Sequence, residues 1–194
     1  MKRKFLFGVG IAALVAAAPL AVSTPVFASL QQAGEAIAQQ LLQPEVKLVM
    51  GAEKQVTVEE NGETKSSWEK LEGNVTVLPG DVLRYTVESS NEGELAAKNL
   101  VITQPIPEAL EFKLGSDEGN SSAVTTYSID NGESFVAEPM VEVKNADGTL
   151  QLNPDGTVKM EPAPAEAYTH VKWAFNEDLE SSVVVDVSLE ATVK

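Results

Sequence analysis

"VLPGDVLRYTVESSNEGELAAKNLVITQPIPEALEF", running from Val77 to Phe112, carries the clearest fold signal in the chain. Leu83, Tyr85 and Val87 alternate with Arg84, Thr86 and Glu88, the period of two that sends one face of a strand to a core and the other to water. Leu100 and Ile102 alternate with Val101 and Thr103 in the same way. Pro79 sets φ for a turn, Gly80 gives its corner conformational freedom, and Asp81 is placed to bond its own backbone as the chain enters the strand. Asn91 and Gly93 make the next turn. Pro105 and Pro107, having no N–H to donate, are expected to stop pairing after Thr103. Leu110 and Phe112 then return to the core. The order is strand, turn, strand, turn, strand, and every residue in it is explained by folding alone.

On both sides of this stretch the same period recurs. Val46, Leu48 and Met50 alternate with Glu45 and Lys47, and Val56 and Val58 flank Thr57. Val171, Trp173 and Phe175 alternate with Lys172 and Ala174. The longest set is Val183, Val185, Val187, Leu189, Ala191 and Val193, facing away from Asp186, Ser188, Glu190 and Thr192. Between these runs stand "ENGE", "LPGD", "NEGE", "DNGE", "NADG" and "NPDG", all turn formers. "EPAPAEA" (Glu161 to Ala167) reads as an extended loop. No internal repeat is apparent. Many short strands with such turns specify an all-β antiparallel sandwich, one domain over 45–194, with 75–194 alone the size of an immunoglobulin-like sandwich.

The opening stretch also carries a resemblance. Pro79-Gly80-Asp81, Tyr85, Asn91, Gly93, Val101, Ile106-Pro107, Leu110 and Phe112 stand in the order of the conserved repeat domain of bacterial surface proteins, which this segment resembles. That domain also occurs in the chlamydial cysteine-rich outer-membrane protein and is called the OmcB-like domain. The later "YTHVKWAF", with Trp173, is similar to the domain's V-x-W segment before its closing strand. The chain departs from the pattern at Gln104, where the family usually has Asp, and at Glu180-Ser181, where a Pro-Gly turn is common. The resemblance covers about Val75 to Lys194. It implies an immunoglobulin-like fold and a cell-envelope setting, and it carries over no catalytic residue.

The N-terminal region reads as an address. Lys2, Arg3 and Lys4 precede an apolar run from Phe5 to Ala18, and Val26-Phe27-Ala28 puts small or short residues where a signal peptidase reads. The apolar run is short for a membrane span, and Pro19, Ser23, Thr24 and Pro25 break any continuation of it. The expectation is a signal peptide over 1–28, cleavage before Ser29, and export to the periplasm, cell surface or extracellular space. Residues 29–44 form a linker or one short helix, with Leu30, Ala33, Ile37 and Leu41 at helical spacing, Gly34 weakening it and Pro44 ending it.

The chain has no cysteine, which excludes disulfides, thiol nucleophiles, thiolate metal sites and a lipid-modified cysteine. No apolar tail closes it, so no transmembrane anchor is expected in the mature form. Its formal net charge is −15. Loss of residues 1–28 removes only Lys2, Arg3 and Lys4 and leaves 11 basic against 29 acidic side chains, a net −18. Such a surface repels nucleic acid and anionic lipid and attracts cations diffusely.

Candidate chemistry is sparse. His170 is the one histidine, with Tyr168 and Lys172 on its side of a strand, and reads as a solvent-face residue because no G-x-S-x-G or second histidine accompanies it. Trp173 and Tyr85 read as core aromatics, while Trp68 in "TKSSWEKLEG" is the best candidate for a surface aromatic, with packing over the sandwich edge as its other role. Asp147 and Asp155 come nearest to a calcium loop, but eight-residue spacing across a strand at Leu150 to Leu152 suits two turns better. Asn74-Val75-Thr76 and Asn120-Ser121-Ser122 are formal glycosylation sequons. No catalytic, cofactor-binding or metal-binding residue is assigned, and no cofactor is expected. The sequence therefore points to a non-catalytic envelope or extracellular module whose partners are surface proteins or glycans. The competing reading is a periplasmic binding protein for a divalent cation or carbohydrate.

Overall fold

The computed structural model describes residues 5–7, 14–15, 43–60, 63–73, 75–119 and 123–194. The signal peptide expected over 1–28 and the linker or short helix expected over 29–44 therefore lie almost wholly outside the described residues. The exceptions are two strands, β1 (Phe5–Phe7) and β2 (Leu14–Val15), and Gln43 and Pro44.

The larger sheet is antiparallel. It contains β3 (Val46–Glu60), β4 (Glu63–Lys70), β6 (Val82–Asn91), β14 (Val184–Val193) and β8 (Leu110–Phe112) in the order β4-β3-β6-β14-β8, with β9 (Glu118–Gly119) also on β14. The second sheet is β10 (Ala123–Ser128), β13 (His170–Phe175), β7 (Val101–Pro105) and β2. Strand β5 (Val75–Val77) pairs with β1, and β11 (Met140–Glu142) pairs with β12 (Met160–Pro162). The chain is thus an all-β antiparallel sandwich, as the two-residue period requires.

The inward faces are those the alternation marks. Leu83, Tyr85 and Val87 of β6 meet Val185, Val187, Leu189, Ala191 and Val193 of β14 and Leu110 and Phe112 of β8. Opposite them the second sheet contributes Ile102, Val171, Trp173 and Phe175. Trp173 is 1% exposed and reaches far enough across the core that a Cβ at Gly119 would stand 3.2 Å from its Cδ1. Gln104, where the chain departs from the resembled pattern, is buried among these side chains with its amide donating to the Pro105 carbonyl at 3.3 Å.

Three details differ from the sequence reading. The β7 ladder does not stop at Thr103: Gln104 pairs with Val171 and Pro105 with His170, and the Ile106 N–H then donates to the Thr169 carbonyl at 2.7 Å. Proline ends no ladder when its missing donor would face away from the strand it pairs with. Val183 is 42% exposed because it belongs to the turn before β14. Val58 is 45% exposed because β3 and β4 run past the start of β6: Lys54 pairs with Leu83, while Val56 and Val58 pair only with β4.

The two ends of the sandwich are distinct. At one pole the chain enters at Glu45, beside Asn91 and Val184; at the other β14 ends, with Thr192 opposite Val82 and Val193 opposite Leu110. Gly93 makes the first pole possible, since a Cβ there would lie 2.2 Å from the Gln43 carbonyl oxygen and 2.5 Å from the Glu45 nitrogen.

Candidate functional site

Chemistry-bearing side chains gather in three places. The first is the loop from Ser128 to Val136, closed by paired backbone bonds between Tyr127 and Val136 at 2.8 and 3.0 Å. Asp130 organises it. Its carboxylate accepts from the Ser128 hydroxyl at 2.6 Å, the Ser134 N–H at 2.9 Å and the Ser134 hydroxyl. These donors hold its pKa far below the usual carboxylate value. The Thr169 hydroxyl donates to the Ser128 carbonyl at 3.1 Å and accepts from the Asn131 N–H at 3.1 Å. That leaves it an acceptor for His170 Nδ1, 3.1 Å away.

His170 lies on the outer face of its sheet, as the alternation requires, yet it is half-buried rather than solvated. Gly132 and Phe135 fold over it, the Phe135 ring 6.4 Å away at 76°. Burial lowers its pKa, and the Asp130 charge partly opposes that shift. A base that activates a side-chain nucleophile must accept that group's proton. Here Ser128 and Ser134 donate to Asp130, and Thr169 donates to a carbonyl. The cluster's hydrogen bonds are spent on closing the loop.

The second place is the segment between β11 and β12. Asn145-Ala146-Asp147-Gly148-Thr149 and Asn153-Pro154-Asp155-Gly156-Thr157 are two copies of one five-residue turn, a short repeat that the sequence displays and that reading the turns singly misses. Asp147 accepts from the Thr149 N–H at 3.0 Å and hydroxyl at 2.6 Å; Asp155 accepts from Thr157 at the same two distances. Both carboxyls are held below their ordinary pKa by these bonds. The ribbons meet in a closed triangle of backbone bonds, Val143 to Lys159 at 2.9 Å, Lys159 to Gln151 at 2.8 Å and Gln151 to Val143 at 2.8 Å. Lys144 pairs with Leu150, Leu152 with Val158 and Glu142 with Met160, so each aspartate caps a separate ribbon. Among the described residues no group of three or more His, Cys, Asp or Glu side chains converges to hold a metal ion.

The third place is the outer face of the larger sheet. Trp68, on β4 opposite Gln55, is half-buried, and the Arg84 guanidinium stacks on it 4.3 Å from the ring centroid. Glu53 fixes Arg84 through Nε at 2.9 Å and through Nη2. Trp68 thus packs at the sheet edge, with one ring face covered by a cation. Beside it, over Gly51, lies an open trough of about 470 Å³ bordered by Glu53, Lys70, Glu72, Thr86 and Glu88.

Tyr85 and Trp173 are core residues, and burial raises the Tyr85 pKa. Asn74 and the 120–122 sequon lie outside the described residues. Sequence reading missed the role of Asn91, which is buried at 0% exposure and fully bonded: Oδ1 accepts from Glu45 N–H and Gly93 N–H, each at 3.1 Å, and Nδ2 donates to the carbonyls of Leu95 at 2.7 Å and Leu179 at 2.9 Å. Among the described residues no helix is long and apolar enough to cross a membrane. No protein-family model, curated protein or solved structure matches the chain.

Proposed function

We propose that the chain is a non-catalytic module of the cell envelope or extracellular space, holding other macromolecules in adhesion, assembly or spacing. The observation that carries this reading is the fate of the reactive groups. His170 Nδ1, both oxygens of Asp130 and one carboxylate oxygen each of Asp147 and Asp155 are bonded to neighbours in the chain's own turns. The basic, apolar and small-residue order of the first 28 residues supports export. The order of Pro79-Gly80-Asp81, Asn91, Gly93 and Trp173 supports the likeness to the OmcB-like domain, and with it an immunoglobulin-like sandwich in an envelope protein. The opposed poles also favour spacing, since Glu45 and Lys194 stand at opposite ends of β6 and the domain adds its full length between them.

Melting curves with calcium, with sodium at matched ionic strength and with a panel of oligosaccharides test it. A ligand that binds only the folded form raises the melting temperature, whereas screening of a net charge of −15 acts with any salt. The expected result is the same modest rise in both salts and none with sugars. A calcium-specific rise that disappears in Asp147→Asn or Asp155→Asn, or a sugar-specific one, would replace this reading with that of a small-ligand binding protein.

A further inference from the structure

Strand β4 covers only part of β3. Their pairing runs from Glu53 opposite Lys70 to Glu60 opposite Glu63, while Val46 to Lys54 pair with β6 on the other side. From Val46 to Ala52, therefore, no described strand lies on the outer side of β3. Alternation along the ladder sends the N–H and C=O groups of Val46, Leu48, Met50 and Ala52 to that side. The bond from Leu71 N–H to the Ala52 carbonyl, at 2.9 Å, fixes the direction and uses one of these groups.

Among the described residues this edge lacks the usual protections. The run "VKLVMGA" has no proline and no inward charge, and its one lysine, Lys47, is drawn to Glu92 at 2.8 Å. On the inner side Val46, Leu48, Met50 and Leu71 are only partly buried against the core. On the outer side Gly51 leaves the trough open, as a Cβ built there meets nothing within 4 Å. The charge beside the edge is negative. Glu88 stands directly opposite Asp186, both exposed, and Glu72 borders the same trough. Like charges directly opposite on a sheet face repel. Glu53 is already engaged by Arg84, which leaves Lys70 as the cation bordering the trough.

We propose that the Val46 to Ala52 edge of β3 is a strand-acceptor site. Its occupant is an extended segment of another protein, with apolar side chains at alternate positions and lysine or arginine between them. The backbone of such a segment pairs with Leu48 and Met50. Its apolar side chains complete the cover over Val46, Leu48, Met50 and Leu71. Its cations reach over Val49 and Gly51 toward Glu88, Asp186 and Glu72. The proposal rests on the reading of the chain as an interaction module and names the chemistry of the partner.

Amide hydrogen exchange on the whole chain tests it, with a blocked synthetic peptide of alternating lysine and valine long enough to span Val46 to Ala52. The glutamate–valine counterpart serves as control. The Leu48 and Met50 amides should exchange quickly alone and slow with the lysine peptide, which should bind at least about tenfold tighter than the glutamate one. Met50→Pro removes an edge donor and should abolish binding. Glu88→Lys leaves the edge backbone intact and should weaken the lysine peptide selectively. Protection of Leu48 and Met50 before any peptide is added, which residues before Gln43 could supply, would overturn the proposal. So would equal binding of the two peptides, or binding untouched by both substitutions. An envelope partner crosslinked only through other surfaces, with this edge silent, would overturn it and leave the reading of the chain as an envelope module standing.

Discussion

Asn91 holds Leu179 across the first pole of the sandwich: its buried side-chain amide donates to the Leu179 carbonyl at 2.9 Å, while its own backbone carbonyl accepts from Ser182 N–H at 2.8 Å. The same side chain fixes Glu45, where the chain enters β3, and the turn at Gly93. One residue thus joins the start of β3, the end of β6 and the approach to β14.

Replacing it by alanine leaves two N–H groups and two carbonyls without that partner; water can reach those of Glu45, Gly93 and Leu95 in part, while the Leu179 carbonyl is buried, at about 1–3 kcal/mol for a group that water does not reach. Asn91→Ala should therefore cost about 1–3 kcal/mol, a sizeable share of the roughly 5–15 kcal/mol of a small domain. Asn91→Asp should be comparably harmful, because it turns a donor toward two carbonyls into a charged acceptor. Urea denaturation measures both, and a loss below about 1 kcal/mol in either would show that this pole is not held as described.

This residue also marks what the sequence discloses. "NEG" reads as a turn, and it is one. That Asn91 bonds Glu45 and Leu179 was not legible, because the partners are backbone atoms distant in sequence. The strands β6, β13 and β14 were legible because each buries one full face. Alternation overran at Val183 and Val58, since a two-residue period continues whether or not a neighbouring strand is present. The solvated reading of His170 failed similarly: the face was right, but the cover comes from the loop at Gly132 and Phe135. The edge of β3 that no described strand covers depends on where β4 stops, which no local pattern encodes.

Ser182 has φ of 63°, in the turn before β14. A side chain in this left-handed region costs about 1–2 kcal/mol, and glycine loses some of that gain to its freer unfolded chain. Ser182→Gly should raise stability by about 0.5–1 kcal/mol, read as a higher urea midpoint with an unchanged slope. A lower midpoint would mean that the serine side chain contributes more than its backbone strain costs.

Trp173 is the largest fully buried side chain. Trp173→Ala should cost about 3–5 kcal/mol through lost burial and a residual cavity, and should leave much of the population unfolded on modest warming. An unchanged melting temperature would place this ring outside the core.

The loop over His170 should set the response to acid. The folded pKa of His170 lies below its free value of 6.5, so the fold prefers the neutral ring. That contribution is complete above pH 6.5 and is lost as pH falls through the lowered folded value. Asp130 is depressed too, so its contribution is complete above its free value of 3.8 and fades as pH falls through a lower one. Both make the protein weaker in acid. Melting temperature against pH should fall in two stages, and His170→Gln should remove the upper stage alone. An identical profile in that variant would contradict the packing of Gly132 and Phe135 on the ring.

The most direct test of the proposed function is cell fractionation combined with crosslinking in intact cells. The chain should be recovered outside the cytoplasm, beginning at Ser29, and covalently joined to a protein or glycan of the envelope. Recovery from the cytoplasm with Met1 in place, or export with no macromolecular neighbour captured at any surface, would contradict it.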